Sequence, residues 1–188
     1  MFMAQEIYAA LGLLGLCVGL ATLILSAKVI KPKEGAGELS ASQSAWFLWV
    51  AGVAELIASL YFALGNSTVN AATFGGYGLF WMALGTMVRW KGDSRVLGPI
   101  SIGYAVFSLG LAIVFATVSL TLFLVVLMLF LIFLALIPAA WGKESQNLLL
   151  VLYVLCLIFA LIAVLGLIFA SVPELSGIAP AFLWPPIL

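Results

Sequence analysis

Apolar residues run along this chain in six long stretches, which short polar or basic segments separate. Each stretch has about 20 residues, the length that an α-helix needs to cross the hydrocarbon core of a bilayer. The sequence therefore predicts an all-α fold, an integral membrane six-helix bundle that occupies residues 1–188 as one domain. The predicted spans are residues 7–25, 45–64, 71–88, 97–117, 120–141 and 148–172.

The composition supports this assignment and excludes several functions. The chain is 66% hydrophobic and 7% charged, with a formal net charge of zero. The chain has no run of basic residues that would bind a nucleic acid, so we expect the lipid bilayer as the main partner. The chain has no histidine, and Cys17 and Cys156 both lie inside predicted spans, where a small buried side chain is the common role. We expect no metal, no other cofactor and no enzymatic activity.

The basic residues fall in alternate loops, which predicts an orientation. Because lysine and arginine favour the cytoplasmic side, these loops should face the cytoplasm and both termini should lie outside. We expect the plasma (inner) membrane as the location. The basic residues are Lys28, Lys31 and Lys33 after the first span, Arg89, Lys91 and Arg95 after the third, and Lys143 after the fifth.

Residues 66–81 combine a polar segment with a glycine-rich, aromatic entry into the third span. Asn66 and Thr73 belong to the polar part, which could replace water around an entering solute, although a plain polar turn explains it equally well. Tyr77 follows among three glycines, and a ring with a hydrogen-bonding tip can narrow a pore and still contact a polar solute. Close helix packing explains the glycines as well as a pore does.

Glu55 is the only carboxylate deep inside a predicted span. Insertion scales put the cost of a charged group such as aspartate there at roughly 2.5 to 3.5 kcal/mol, so such a residue is a functional candidate. The alternative is a protonated glutamic acid that bonds to a backbone carbonyl. Tyr104 is a second candidate, because Ser101 and Ser108 share its face of the fourth span at helical spacing. Those hydroxyls could also bond only to backbone.

Three segments together resemble the acetate uptake transporter family, which includes the succinate-acetate permeases. These segments are the helix around Ala54-Glu55, the pair Gly65-Asn66 and the run from Phe74 to Trp81. The resemblance implies six-helix protomers in a ring-shaped hexamer, each protomer having its own carboxylate path with a narrow apolar constriction. It places constriction residues at Tyr77, near Leu131, and at Leu16, where the family has an aromatic. The full predicted path comprises Leu16, Glu55, Asn66, Thr73, Phe74, Tyr77, Trp81, Tyr104 and Leu131.

The chain departs from that family at two places. Where the family has the signature Asn-Pro-Ala-Pro-Leu-Gly-Leu, residues 7–13 of this chain are Ile-Tyr-Ala-Ala-Leu-Gly-Leu. In addition, Glu55 stands where glutamine is usual. A fixed anionic glutamate would repel acetate. Transport of acetate would therefore need Glu55 to be protonated, paired, or able to carry a coupled proton.

We therefore expect a channel or permease for small monocarboxylates such as acetate, with possible proton coupling. The family of urea and short-chain amide channels is similar in size, helix count and hexameric assembly, and it is the first alternative. Its usual outside termini agree with the charge pattern. The second alternative is a noncatalytic membrane scaffold subunit, in which the glycine-rich faces serve only helix packing.

Overall fold

The computed structural model of the protein describes residues 2–28, 43–143 and 146–188, which form helices, turns and irregular segments without a strand. The predicted all-α class is confirmed. A π-helix, Trp46–Gly52, leads directly into α2, and short 3-10 helices occupy Ser94–Val96 and Ser176–Ala181. The α-helices are α1 (Phe2–Lys28), α2 (Val53–Leu64), α3 (Thr68–Arg89), α4 (Leu97–Ala116), α5 (Leu120–Ala139) and α6 (Gln146–Ser171).

Five helices in the described ranges are long and apolar enough to cross a membrane, which defines an integral membrane protein. They comprise α1, the continuous helix Gln43–Leu64, α4, α5 and α6. The 22 residues of α3 would span about 33 Å. It is less apolar than the other helices, because Asn70, Thr73 and several glycines interrupt its hydrophobic residues. A sixth span in α3 stays a prediction.

The helices pack side by side in a ring. In ring order, α3 packs on α2, α2 on α1, α1 on α6, α6 on α5, and α5 on α4. Side chains join α4 to α3 and complete the circle: the Tyr104 hydroxyl donates a hydrogen bond to the Gly76 carbonyl at 2.8 Å. The path residues that the sequence predicts come from five helices of this ring and from the turn before α3.

Glycines in α1 to α3 allow these helices to approach closely. A Cβ atom at Gly15 of α1 would lie 2.9 Å from the carbonyl oxygen of Ala51, and one at Gly78 of α3 would lie 3.1 Å from that of Gly52. Contacts of this kind have no room for a larger residue. The packing role of the glycines is therefore real in this part of the ring.

The proline-rich tail after α6 contains a short 3-10 helix and packs on the beginning of α5. The buried Thr121 hydroxyl donates to the carbonyl oxygen of Phe182 at 2.6 Å and accepts from the backbone N–H of Trp184 at 3.1 Å. The Leu120 N–H donates to the Trp184 carbonyl at 3.1 Å. The tail thus satisfies one of the backbone N–H groups that a helix start leaves unpaired.

Two connectors carry most of the basic residues that predict the orientation. The first connector, with Lys31 and Lys33, lies outside the described residues. In the connector between α3 and α4, Arg95 forms an exposed ion pair with Asp93, with 2.6 Å between Nη2 and Oδ2. The Arg95 guanidinium lowers the pKa of Asp93 from 3.8 to about 2.

Candidate functional site

Two cavities lie inside the ring of helices. We call them the wide cavity, of about 440 Å³, and the narrow cavity, of about 120 Å³. The wide cavity lies toward the end of the ring where α1 begins and α2 turns into α3, since Glu6, Ser67 and Val118 line it. The narrow cavity continues toward the other end, where Leu23 and Leu97 line it.

Three residues line both cavities and therefore separate them: Leu16 of α1, Tyr77 of α3 and Leu129 of α5. All three are buried. We call this group the constriction. Two aliphatic side chains and one aromatic ring form an apolar neck at which a polar solute must lose most of its water. The only polar atom that these side chains bring to the neck is the Tyr77 hydroxyl.

The lining residues follow one face of each contributing helix. On α1 they recur every three or four residues, the spacing of a single helical face. The same face lines both cavities in turn, so the two cavities and the constriction follow one line through the ring. The α1 lining residues along this face are Glu6, Ala9, Leu13, Leu16, Leu20 and Leu23.

Neighbouring side chains fix the position of Tyr77. Its hydroxyl lies 2.9 Å from the Ser108 hydroxyl oxygen, and its ring stacks on Phe133 with an interplanar angle of 4°. The edge of Phe107 meets it with 5.5 Å between ring centroids. Tyr77 therefore lines the neck and packs against α4 and α5 at the same time. The pore interpretation and the packing interpretation of this segment both apply to it.

Glu55 lies beside the constriction and is almost fully buried, with 1% of its surface exposed. Its Oε1 accepts a hydrogen bond from the Trp81 indole N–H at 3.1 Å, whereas its Oε2 has no hydrogen-bond partner among the described residues. Glu55 lines the wide cavity and Trp81 lines the narrow one. A buried polar atom without a partner costs about 1 to 3 kcal/mol, so Oε2 is one of the unsatisfied atoms of the site.

The electrostatics of both cavities are acidic or neutral. No lysine or arginine is among the residues that line them, and Glu6 adds a second carboxyl whose Oε2 also lacks a described partner. Among the described residues, Cys17, Tyr77 and Tyr104 interact electrostatically with Glu55, and none of them carries a positive charge. Nothing in this part of the chain would hold an anion by charge. The described residues also contain no cluster of histidine, cysteine or acidic side chains that could hold a metal ion.

The other predicted path residues divide into two groups. Thr73 and Phe74 line the wide cavity, although the Thr73 hydroxyl donates to the Val69 carbonyl at 2.8 Å. Three predicted residues line neither cavity. Asn66 is exposed in the turn between α2 and α3, Tyr104 bonds to Gly76, and Leu131 lies two residues beyond Leu129.

Leu129 and Glu6 are lining residues that the sequence analysis did not select. Span five is so uniformly apolar that no residue type marks which face lines the path. Glu6 lies just before the predicted first span, where an acidic residue needs no special explanation. Its spacing of seven residues from Leu13, two helical turns, is a usable signal once Leu13 is known to line the path.

The fold and these cavities define a class: an integral membrane protein with two aligned cavities in a ring of helices. Among solved structures, the structure of this chain is similar to that of the bacterial acetate channel SatP. The TM-score is 0.62, the sequence identity is 21%, and the match covers 96% of each chain. The predicted resemblance is confirmed for the fold. No protein-family model matches the chain, and no curated protein matches it.

Proposed function

We propose that this protein is a membrane channel for small monocarboxylates such as acetate. The observation that carries the proposal is the pair of aligned cavities, which share only Leu16, Tyr77 and Leu129, in a fold similar to that of an acetate channel. In this mechanism the polar part of the wide cavity receives the solute, the constriction removes its water, and the narrow cavity releases it. Weak binding along such a path favours rapid exit.

The proposal includes the predicted membrane arrangement. Six spans, termini outside the plasma (inner) membrane and a ring-shaped hexamer with one pore per protomer are the arrangement we expect. Proton coupling is an optional part of the mechanism, since passage of a neutral acid and cotransport of a proton with its anion have the same net charge.

A channel for urea or short-chain amides is the second candidate. The observation that favours it is the absence of lysine and arginine from the residues that line the two cavities, together with the presence of Glu6 and Glu55. Neutral solutes need no basic side chain. The scaffold alternative predicts no solute flux, so a single flux panel distinguishes all three candidates.

The test is flux of labelled acetate, acetamide and urea into proteoliposomes, at a pH where acetate is almost wholly anionic so that leak of the undissociated acid stays small. We expect acetate flux well above that of empty liposomes. Flux of amide or urea without acetate would favour the second candidate. No flux of any of the three would contradict both channel proposals.

A matched pair of variants shows whether the flux uses the constriction. Leu129→Trp fills the neck, whereas Leu134→Trp puts the same side chain on the exposed face of the same helix. We expect the first to lower acetate flux by at least about tenfold and the second to leave it unchanged. Equal flux through both variants would place the path elsewhere.

A further inference from the structure

Glu55 is the buried polar group beside the constriction whose role the transport path leaves open. It is one of two carboxyls among the lining residues, and it lies three residues after the π-helix, a rare element that is frequent at functional sites. Gly15 and Gly78 give it space: a Cβ atom at Gly15 would lie 3.4 Å from Glu55 Cγ, and one at Gly78 would lie 3.2 Å from Glu55 Cβ. The helices are built closely around this side chain.

The two carboxyl oxygens of Glu55 have different surroundings. The Trp81 N–H is a donor only, so the oxygen that it contacts, Oε1, must act as an acceptor. In a neutral carboxylic acid the carbonyl oxygen is the better acceptor, so this contact favours the proton on the other oxygen, Oε2, which becomes a donor. Oε2 has no partner among the described residues, although the side chain lines the wide cavity. Oε2 is itself buried, so a rotation of the carboxyl toward the wide cavity would bring this unpartnered donor to an acceptor that enters from there.

We propose that Glu55 is a solute-binding residue whose Oε2 hydroxyl donates a hydrogen bond to a carbonyl or carboxyl oxygen of the solute at the entrance to the constriction. Trp81 is a positioning residue that holds the carboxyl through Oε1. This inference rests on the proposed transport function and adds the contact that selects the solute. It assigns Glu55 a role as a neutral donor, which requires neither a fixed charge nor transfer of its proton.

Replacement of Glu55 by glutamine distinguishes a hydrogen-bond donor from a group that transfers its proton. In Glu55→Gln the amide oxygen can still accept from Trp81 and the amide nitrogen can still donate into the cavity, but the side chain has no proton to transfer. In Glu55→Met a side chain of similar length keeps the packing but removes both the donor and the acceptor of the Trp81 N–H, and Trp81→Phe measures the loss of the second contact alone. A donor role therefore predicts that glutamine replaces glutamate and methionine does not.

The experiment measures acetate flux in proteoliposomes for the wild type and four variants. We expect Glu55→Gln to retain flux within about twofold, and Glu55→Met to lose about tenfold, the loss that one missing hydrogen bond produces. Trp81→Phe, which leaves the carboxyl without its fixed partner, should lose about threefold. The control is Ser101→Ala, since the Ser101 hydroxyl is also buried without a described partner but lines neither cavity, and its flux should equal that of the wild type.

Two outcomes would overturn the inference while leaving the proposed function intact. Wild-type flux in Glu55→Met would show that the donor is not needed, and flux as low in Glu55→Gln as in Glu55→Met would show that a transferable proton or charge is needed. If Glu55→Met does not fold, as size-exclusion chromatography and circular dichroism would show, the Glu55→Gln and Trp81→Phe results decide the matter by the same expectations. Absence of flux in the wild type would instead contradict the proposed function.

Discussion

The wide and narrow cavities differ in chemistry as well as in size. The narrow cavity, of about 120 Å³, contains polar atoms only from Tyr77, Trp81 and Tyr153 among its lining side chains. The wide cavity, of about 440 Å³, has many more, from Gln5, Glu6, Glu55, Ser67, Asn70, Thr73 and Tyr77. Under the proposed function, we expect recognition of the solute on the wide side of the constriction and its passage on the narrow side.

Removal of the Tyr77 side chain, which separates the two cavities, should have the largest effect on solute preference. Tyr77→Ala would join the two cavities and remove a buried aromatic side chain, a change that costs about 3 to 5 kcal/mol in comparable cores. Because the neck would be wider, we expect flux of butyrate relative to acetate to rise by about tenfold or more.

Tyr77→Phe is the control for this prediction, because it keeps the ring and removes only the hydroxyl that contacts Ser108. Its solute preference should stay close to that of the wild type. An unchanged butyrate-to-acetate ratio in Tyr77→Ala would mean that the tyrosine does not separate the two compartments.

A smaller effect is expected from the helix contact that shapes the wall around Glu55. Gly15→Ala places a methyl group 2.9 Å from the Ala51 carbonyl oxygen, whereas Gly103→Ala on α4 has no neighbour within 4 Å. We expect Gly15→Ala to lower stability by about 1 to 3 kcal/mol, which lowers the melting temperature by about 2 to 4 °C per kcal/mol. The melting temperatures of both variants are measured by thermal unfolding in detergent. Equal melting temperatures for Gly15→Ala and Gly103→Ala would contradict tight packing around Gly15.

The tail contact at the wide end should contribute less. Thr121→Val keeps the volume of the buried side chain but removes both hydrogen bonds to the tail, at Phe182 and Trp184. We expect a loss of about 1 to 2 kcal/mol, detectable as faster hydrogen exchange at Trp184 and neighbouring tail amides. The matched variant Thr117→Val is exposed and bonds only to the Val114 carbonyl in its own turn, so it should leave the exchange of the tail unchanged.

The smallest effect is expected from the Asp93–Arg95 pair, which lies outside both cavities. Because the folded-state pKa of Asp93 is lowered to about 2, its contribution to stability is present above the unfolded-state pKa of about 3.9 and is lost as the pH falls toward 2. Both groups are exposed, so salt should reduce even this contribution. Asp93→Asn should leave acetate flux unchanged at every pH, and a changed pH profile would mean that acid acts on transport from outside the cavities.

Much of the fold could be predicted from the sequence because hydrocarbon imposes a length and a composition on each spanning helix. Helix α5, predicted at residues 120–141, is observed at Leu120–Ala139. The same apolar composition gives no indication of which residues line the path. On α5 every face is apolar, so the sequence cannot distinguish Leu129, which lines the constriction, from Leu131, which does not.

The polar part of the site could be predicted further than its apolar wall. Glu55 and Tyr77 stand out in apolar surroundings, and both line the cavities. Their partners could not be predicted, because Trp81 and Ser108 are 26 and 31 residues away and meet them only through helix packing. Asn66 shows the opposite case: it is polar and near the predicted entrance, but in the turn between α2 and α3 it is exposed and lines neither cavity.

The most direct test of two compartments joined through one constriction is chemical access from each side of the membrane. Single cysteines at Asn70 in the wide cavity and Leu136 in the narrow one, with Cys17 and Cys156 replaced by alanine, would be exposed to a membrane-impermeant thiol reagent in oriented proteoliposomes. We predict that Asn70→Cys reacts only from the side of the α2–α3 turn, that Leu136→Cys reacts only from the opposite side, and that either modification stops acetate flux. Reaction of both cysteines from the same side, or full flux after both are modified, would contradict the account.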